Sequence, residues 1–158
     1  MKGNVKVLKA LNDLLAEELT AINQYMVHSE MCDNWGYEVL HKAIEKHAFD
    51  EMRHAEWLIQ RILFLDGSPT VSKLNKMTIG KSVKEMVLND YDAEVMAVKS
   101  YNAAIKTAVE AGDNGTRDLL TKILKDEEKH VDWAEVQRDQ IAHMGLEIYL
   151  TNQVAAGE

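Results

Sequence analysis

The chain has 158 residues, with 18 Lys and Arg against 26 Asp and Glu, a formal net charge of -8. This length suits one domain with a substantial core, expected to span 1–158, and the acidic balance argues against a nucleic-acid surface, which needs clustered cations. Cys32 is the only cysteine, which excludes an intrachain disulfide and a cysteine-rich metal module.

The opening Met1-Lys2-Gly3-Asn4 lacks the apolar segment of a secretory signal, and no apolar run approaches membrane-spanning length, so a soluble cytoplasmic protein is expected. A first amphipathic helix is read from Leu8, Leu11, Leu15, Glu18, Ile22, Tyr25, Ser29 and Cys32, whose three- and four-residue steps keep them on one face. Asn34-Trp35-Gly36 ends it. A second stripe runs Tyr37, Leu40, Ile44, His47, Glu51, His54, Leu58, Ile62 and Leu65. Asp66 to Lys81 follows, holding Gly67, Gly80 and the only proline, Pro69. The third stripe is Val87, Tyr91, Glu94, Val98, Tyr101, Ile105 and Ala108. After Gly112-Asp113-Asn114-Gly115 the fourth runs Leu120, Ile123, Glu127, His130, Ala134, Gln137, Ile141 and Met144. A short fifth helix is expected from about Leu146 to Val154.

Short breaks make each helix pair an antiparallel hairpin. The sixteen residues between the hairpins can span roughly 53 Å when extended, more than the roughly 45 Å of a thirty-residue helix. They can therefore run the length of the bundle and leave the second and third helices parallel. The expected fold is all-α: a four-helix bundle with one long crossover and a short C-terminal fifth helix.

One pattern occurs twice. Asp50-Glu51-x-Arg53-His54-x-Glu56-Trp57 matches Asp126-Glu127-x-Lys129-His130-x-Asp132-Trp133, and the same offset pairs Glu18 with Glu94 and Tyr25 with Tyr101. The chain thus reads as two related halves. Glu18, Glu51, His54, Glu94, Glu127 and His130 fall within apolar stripes, each near its helix midpoint. Unpartnered buried carboxylates are strongly unfavourable, and no Lys or Arg shares the stripes to balance them. Two divalent ions would supply +4, with the imidazoles as neutral ligands. A carboxylate-rich set with one imidazole per metal suits iron or manganese better than zinc. These six residues are the expected ligands, with one imidazole to each ion.

Tyr25 and Tyr101 follow Glu18 and Glu94 on the same face as core aromatics whose hydroxyls need partners. For Tyr25 a hydrogen bond to a ligating carboxylate and a role as electron source are the functional alternative. Trp57 and Trp133 read as packing residues, and Cys32 as a small buried hydrophobe. His28, His41 and His143 show no paired spacing and read as surface residues. His47 and Asp50, a turn before Glu51 and His54, read as a half-buried helix face or an auxiliary iron site. Met52 breaks the repeat, since its counterpart is Glu128. It must point away from the centre, where a thioether suits a subunit contact or a haem iron.

With these residues the chain resembles bacterioferritin, the haem-containing branch of the ferritin superfamily, over essentially its full length. The match includes Met1-Lys2-Gly3, Leu19-x-Ala21-Ile22-Asn23-Gln24-Tyr25, Asp50-Glu51-Met52-Arg53-His54-Ala55, Ile62-Leu63-Phe64-Leu65-Asp66-Gly67 and Asp126-Glu127-Glu128-x-His130-x-Asp132-Trp133. The paired-metal arrangement itself is that known from ferritin-like proteins. The resemblance implies a cytoplasmic ferroxidase with two iron ions per subunit, oxidising Fe(II) with O2 or H2O2 and storing a ferric mineral inside a homo-oligomeric shell of 24 subunits. It also implies haem b shared between two subunits, each giving Met52 as a ligand, and a ferredoxin as reductant for iron release. One departure is Lys46, where some bacterioferritins carry an inner-surface histidine, and it weighs against an interior iron relay through His47 and Asp50. The alternative function is a small di-iron peroxidase or oxidase without mineral storage. A rubrerythrin-type peroxidase needs a cysteine-rich domain, di-iron hydroxylases usually have larger chains, and the DNA-protecting miniferritins place their metal site between subunits.

Overall fold

Side-chain caps start three of the four long helices in the computed structural model, which describes residues 1–155. Asn4 accepts from the N–H groups of Lys6 and Val7 at the head of α1 (Val5–Asn34). Ser82 accepts from Glu85 N at the head of α3 (Val83–Glu110), and Asp113 from Thr116 N at the head of α4 (Asn114–Met144). No side chain caps α2 (Glu38–Phe64); its Val39 N–H is taken instead by Gln153 O at 3.0 Å, just beyond α5 (Leu146–Thr151). That turn ends α5 at Thr151, earlier than the expected Val154. The α3–α4 break is also shorter than expected, because the Asp113 cap brings Asn114 and Gly115 into the helix. Gly36 and Gly112, at φ 81° and 69°, supply the left-handed conformation that each hairpin turn needs.

The bonded pairs fix the directions. From α1 to α3, Glu18 meets Tyr101 and Tyr25 meets Glu94, so these helices are antiparallel. From α2 to α4, His54 meets Asp126, His130 meets Asp50 and Arg61 meets Asp113, again antiparallel. With α1 and α2 forming a hairpin, α2 and α3 are parallel. The result is a ferritin-like four-helix bundle with one long crossover. No helix among the described residues is long and apolar enough to cross a membrane.

The crossover is extended and hangs on α1. Asn12 takes Thr70 N, Thr20 takes Asn75 N, Gln24 takes Thr78 N and His28 takes Gly80 N, at 2.8 to 3.1 Å. These polar residues form a ridge that satisfies backbone donors with no helix or sheet to use them. Gly80 must be a glycine, since a Cβ there would lie 2.5 Å from Met86 N. This corrects the reading of His28 as a surface residue: it is 0% exposed. Its Nε2 accepts from Gly80 N, so Nδ1 carries the proton and donates to Asp90 Oδ1 at 2.9 Å. His41 is half-buried, its Nδ1 3.0 Å from Ser29 O, and His143 is exposed as expected.

Apolar packing is split in two. One cluster holds Leu11, Leu15, Leu58, Ile62, Leu120 and Ile123; the other holds Cys32, Leu40, Ile44, Val87, Ile141 and Tyr149. Between them lies a layer of buried polar groups.

Candidate metal centre

All four long helices contribute to that layer. Glu18 comes from α1, Glu51 and His54 from α2, Glu94 from α3, and Glu127 and His130 from α4, and all six are buried. The i, i+3 spacing puts each Glu and His of α2 and α4 on one face. Their ligand atoms form two groups, each within 4.8 Å: Glu18, Glu51, His54 and Glu127, and Glu51, Glu94, Glu127 and His130. Glu51 and Glu127 belong to both.

His54 Nδ1 lies 2.9 Å from Glu127, 3.1 Å from Glu51 and 3.6 Å from Glu18. His130 Nδ1 lies 2.9 Å from Glu51, 3.4 Å from Glu94 and 3.8 Å from Glu127. Yet Glu18 Oε2, Glu51 Oε1, Glu127 Oε1 and His130 Nδ1 are buried without a hydrogen-bond partner. Buried polar atoms are nearly always partnered. Four orphans converging on one place fit a cation, for which every one of them is a donor.

A second ring of groups orients the first. Outer Nε2 atoms face carboxylates: His130 to Asp50 at 3.3 Å and His54 to Asp126 at 3.5 Å. Lys46 and Lys129 hold those aspartates in turn, at 3.0 and 2.7 Å. With the proton on Nε2, the Nδ1 lone pair points inward, as a metal ligand requires. Tyr25 donates to Glu94 and Tyr101 to Glu18. The Glu–His, His–Asp and Tyr–Glu contacts each have an exchanged twin under the sequence repeat, so the centre has an internal pseudo-two-fold axis. The two lysines do not correspond: the counterpart of Lys46 is Lys122, which lies over the Trp57 ring.

The tyrosine reading was therefore half complete, since Tyr101 has the same role as Tyr25. Asp126 was missed as an orienting group, and Asp50 serves His130 rather than joining His47. The available signal was that both aspartates open the repeated octapeptide. His47 packs its ring 4.3 Å from His130, 4.8 Å from Trp133 and 6.2 Å from Tyr25. Its counterpart under the repeat is Ile123, which is buried in the first apolar cluster. Among the described residues, no group of three metal-ligating side chains includes His47 or Asp50.

Burial raises the Glu18 carboxyl well above its usual range, and the charge of Glu51 adds to the rise. Glu127 is raised by burial and then by Glu18. For Glu94 burial pushes upward too, but the hydrogen bond and charge of His130 outweigh it and leave the group low. Burial disfavours a charged imidazole, yet Glu127, Glu18 and Glu51 hold His54 far above its ordinary value. Glu51 and Glu94 likewise overcome burial to bring His130 up to about 11. Burial and then the carboxylates raise both tyrosines, which keep their protons and donate. His47 moves the other way, lowered to about 4 by burial and by His130, and is neutral at pH 7. In the metal-free centre, protons do the charge balancing.

Met52 points outward, 47% exposed, one residue from Glu51. Phe49, a turn before it, and Met26 on α1 are also exposed.

Residues 8–144 match the family described as the ferritin-like domain. The chain is 42% identical over 149 residues to a bacterioferritin of Mycolicibacterium paratuberculosis, covering 94% of each chain. It is 39% identical to a bacterioferritin of Brucella melitensis, over 94% of this chain and 92% of that one. A protein of Synechocystis called bacterial ferritin is 41% identical over 156 residues, 98% of this chain and all of its own.

Proposed function

Because the chain belongs to the ferritin family, in its bacterioferritin branch, we propose that it stores iron: it oxidises Fe(II) at the paired centre and holds the Fe(III) as mineral in a cytoplasmic shell of 24 copies. The observation that carries this reading is the overlap of two buried ligand groups in Glu51 and Glu127. That overlap gives each of two ions one terminal carboxylate, one imidazole and two shared carboxylates.

In this reading Glu18 and His54 hold one Fe(II), Glu94 and His130 hold the other, and Glu51 and Glu127 bridge them. Four carboxylates match the +4 of two Fe(II). After oxidation the metal charge is +6, and the excess favours hydroxide uptake or departure of Fe(III) toward the shell interior. Two Fe(II) release two electrons, which with two protons reduce O2 to H2O2, or H2O2 to two waters. Tyr25 and Tyr101 keep the terminal carboxylates aimed inward, and Asp50 and Asp126 do the same for the imidazoles.

The exposed surface around Met52 fits the haem of this branch, because a soft thioether stands on α2 one turn from the exposed apolar side chain of Phe49. We assign Met52 of each of two subunits to the haem iron. When bound, that group supplies one-electron transfer, which suits reductive iron release by a ferredoxin.

The test is an anaerobic Fe(II) titration of metal-free protein, followed by air. Saturation at two Fe(II) per subunit and oxidation within minutes are expected, and Glu18→Ala or His130→Ala should remove the fast phase. Saturation at one ion or none would overturn the paired centre. Electron microscopy should show hollow particles that fill with mineral; small oligomers that never mineralise would favour a di-iron oxidase without storage.

A further inference from the structure

A cavity of about 470 Å3 opens between α1, α3 and the crossover and reaches Glu18, Glu51, Glu94 and Glu127. Small side chains, Ala21, Ala93 and Ala97, line it together with polar ones such as Thr20, Gln24 and Asn89. The other side of the centre is closed by His54 and His130, backed by Asp126 and Asp50. The unpartnered Glu18 Oε2, Glu51 Oε1 and Glu127 Oε1 all belong to residues that line this cavity. Glu17, half-buried, lines it too. Ser100 Oγ donates to Glu17 Oε1 at 2.8 Å, and no described cationic side chain pairs with it.

A divalent cation gives up its waters reluctantly and exchanges them best for carboxylate oxygens. A six-water shell needs on the order of 200 Å3, at roughly 30 Å3 per water, so the cavity has room for it. The ion can therefore enter hydrated, and a carboxylate of the lining outside the centre can take it first. Asp92 and Lys76 also line the cavity, Asp92 exposed.

We propose that this cavity is an admission site for hydrated divalent iron, with Glu17 as the first protein ligand before Glu18 receives the ion. The inference rests on the paired-metal reading above. No residue of the Glu-x-x-His repeat supplies this role, and the repeat counterpart of Glu17 is Ala93, so the site serves one side of the pseudo-two-fold only.

Stopped-flow oxidation of Fe(II) by the assembled protein separates capture from chemistry. Glu17→Gln should slow oxidation at sub-saturating iron about 10-fold, the low end of electrostatic effects on association. The rate at saturating iron should stay within about 2-fold, and anaerobic Co(II) should still bind at two per subunit. Ala97→Leu fills the passage without changing charge and should slow capture similarly, whereas Lys76→Gln should speed it. Wild-type capture in both Glu17→Gln and Ala97→Leu would overturn the proposal. Slowing by Ala97→Leu alone would keep the passage but overturn the assignment of Glu17. Fewer than two Co(II) on the wild-type protein would instead overturn the paired centre.

Discussion

Metal binding should expel protons, and the structure says roughly how many. Glu18 and Glu127 have carboxyls raised by burial, and His54 and His130 are held charged by the carboxylates around them. All four shifts favour protonated forms that a metal-filled centre cannot keep, since ligating carboxylates and imidazoles must be unprotonated. Two divalent ions bring +4, so full charge balance displaces up to four protons. At that count of two protons per ion, each unit drop in pH should weaken binding about 100-fold per ion, or about 2.7 kcal/mol at 1.36 kcal/mol per proton per unit. Anaerobic calorimetric titration with Co(II), in two buffers of different ionisation enthalpy, counts the protons directly. Release of fewer than one proton per ion, or affinity that is flat between pH 6 and 8, would refute the argument. The same groups set the stability of the metal-free fold. Their folded-state values lie above the ordinary 4.5 of Glu and 6.5 of His. Their stabilisation is complete below those ordinary values and is lost as pH rises toward the folded ones, about 11 for His130. The melting temperature of metal-free protein should therefore fall from pH 6 to 9, while Co(II)-loaded protein should show little such fall.

Three further outcomes are expected. Tyr101→Phe and Tyr25→Phe each free one terminal carboxylate and should weaken Co(II) binding by about 10-fold or more, as loss of an orienting bond does; a large effect for Tyr25 alone would break the pseudo-symmetric reading. Met52→Leu should remove the haem absorption bands yet spare shell assembly and Fe(II) oxidation, because the inward ligands are untouched, and haem retained in that variant would exclude Met52 as its ligand. His28→Ala strands Gly80 N–H and removes a partner of buried Asp90, so urea unfolding should show a loss of about 3 kcal/mol; a loss under about 1 kcal/mol would mean that the crossover does not depend on that bond.

The helices and the six central residues were legible because both signals are periodic. Three- and four-residue steps set the faces, and Glu or His falling on an apolar face near mid-helix is visible without coordinates. The repeat did more, since it implied two equivalent halves, and Tyr25–Glu94 and Tyr101–Glu18 are the exchanged bonds such halves must make. Treating Tyr101 as a mere core aromatic ignored that consequence. His28 was not legible for a different reason. Its partners are a crossover backbone N–H and an aspartate on α3, and neither has any periodic relation to α1. Irregular segments leave no pattern in sequence, so the residues that bind them look like surface residues until the contact is seen.

His47 shows where repeat reasoning stops being enough. An exact two-fold would make the two metal positions chemically equal, and the six ligands, both tyrosines and both aspartates obey it. Beside the ligands the copies differ: His47 stands against His130, whereas Ile123 is the equivalent on the His54 side. A neutral imidazole whose ring lies 4.3 Å from His130 is polar and polarisable, and the isoleucine is neither. Glu17 differs in the same sense, with Ala93 opposite. Both departures lie in the first half of the repeat, yet they neighbour different metal positions. Glu17 neighbours the Glu18 and His54 position, and His47 neighbours the Glu94 and His130 position. Four carboxylates and two imidazoles explain why two ions bind, and these two unrepeated residues are what make one ion's surroundings unlike the other's.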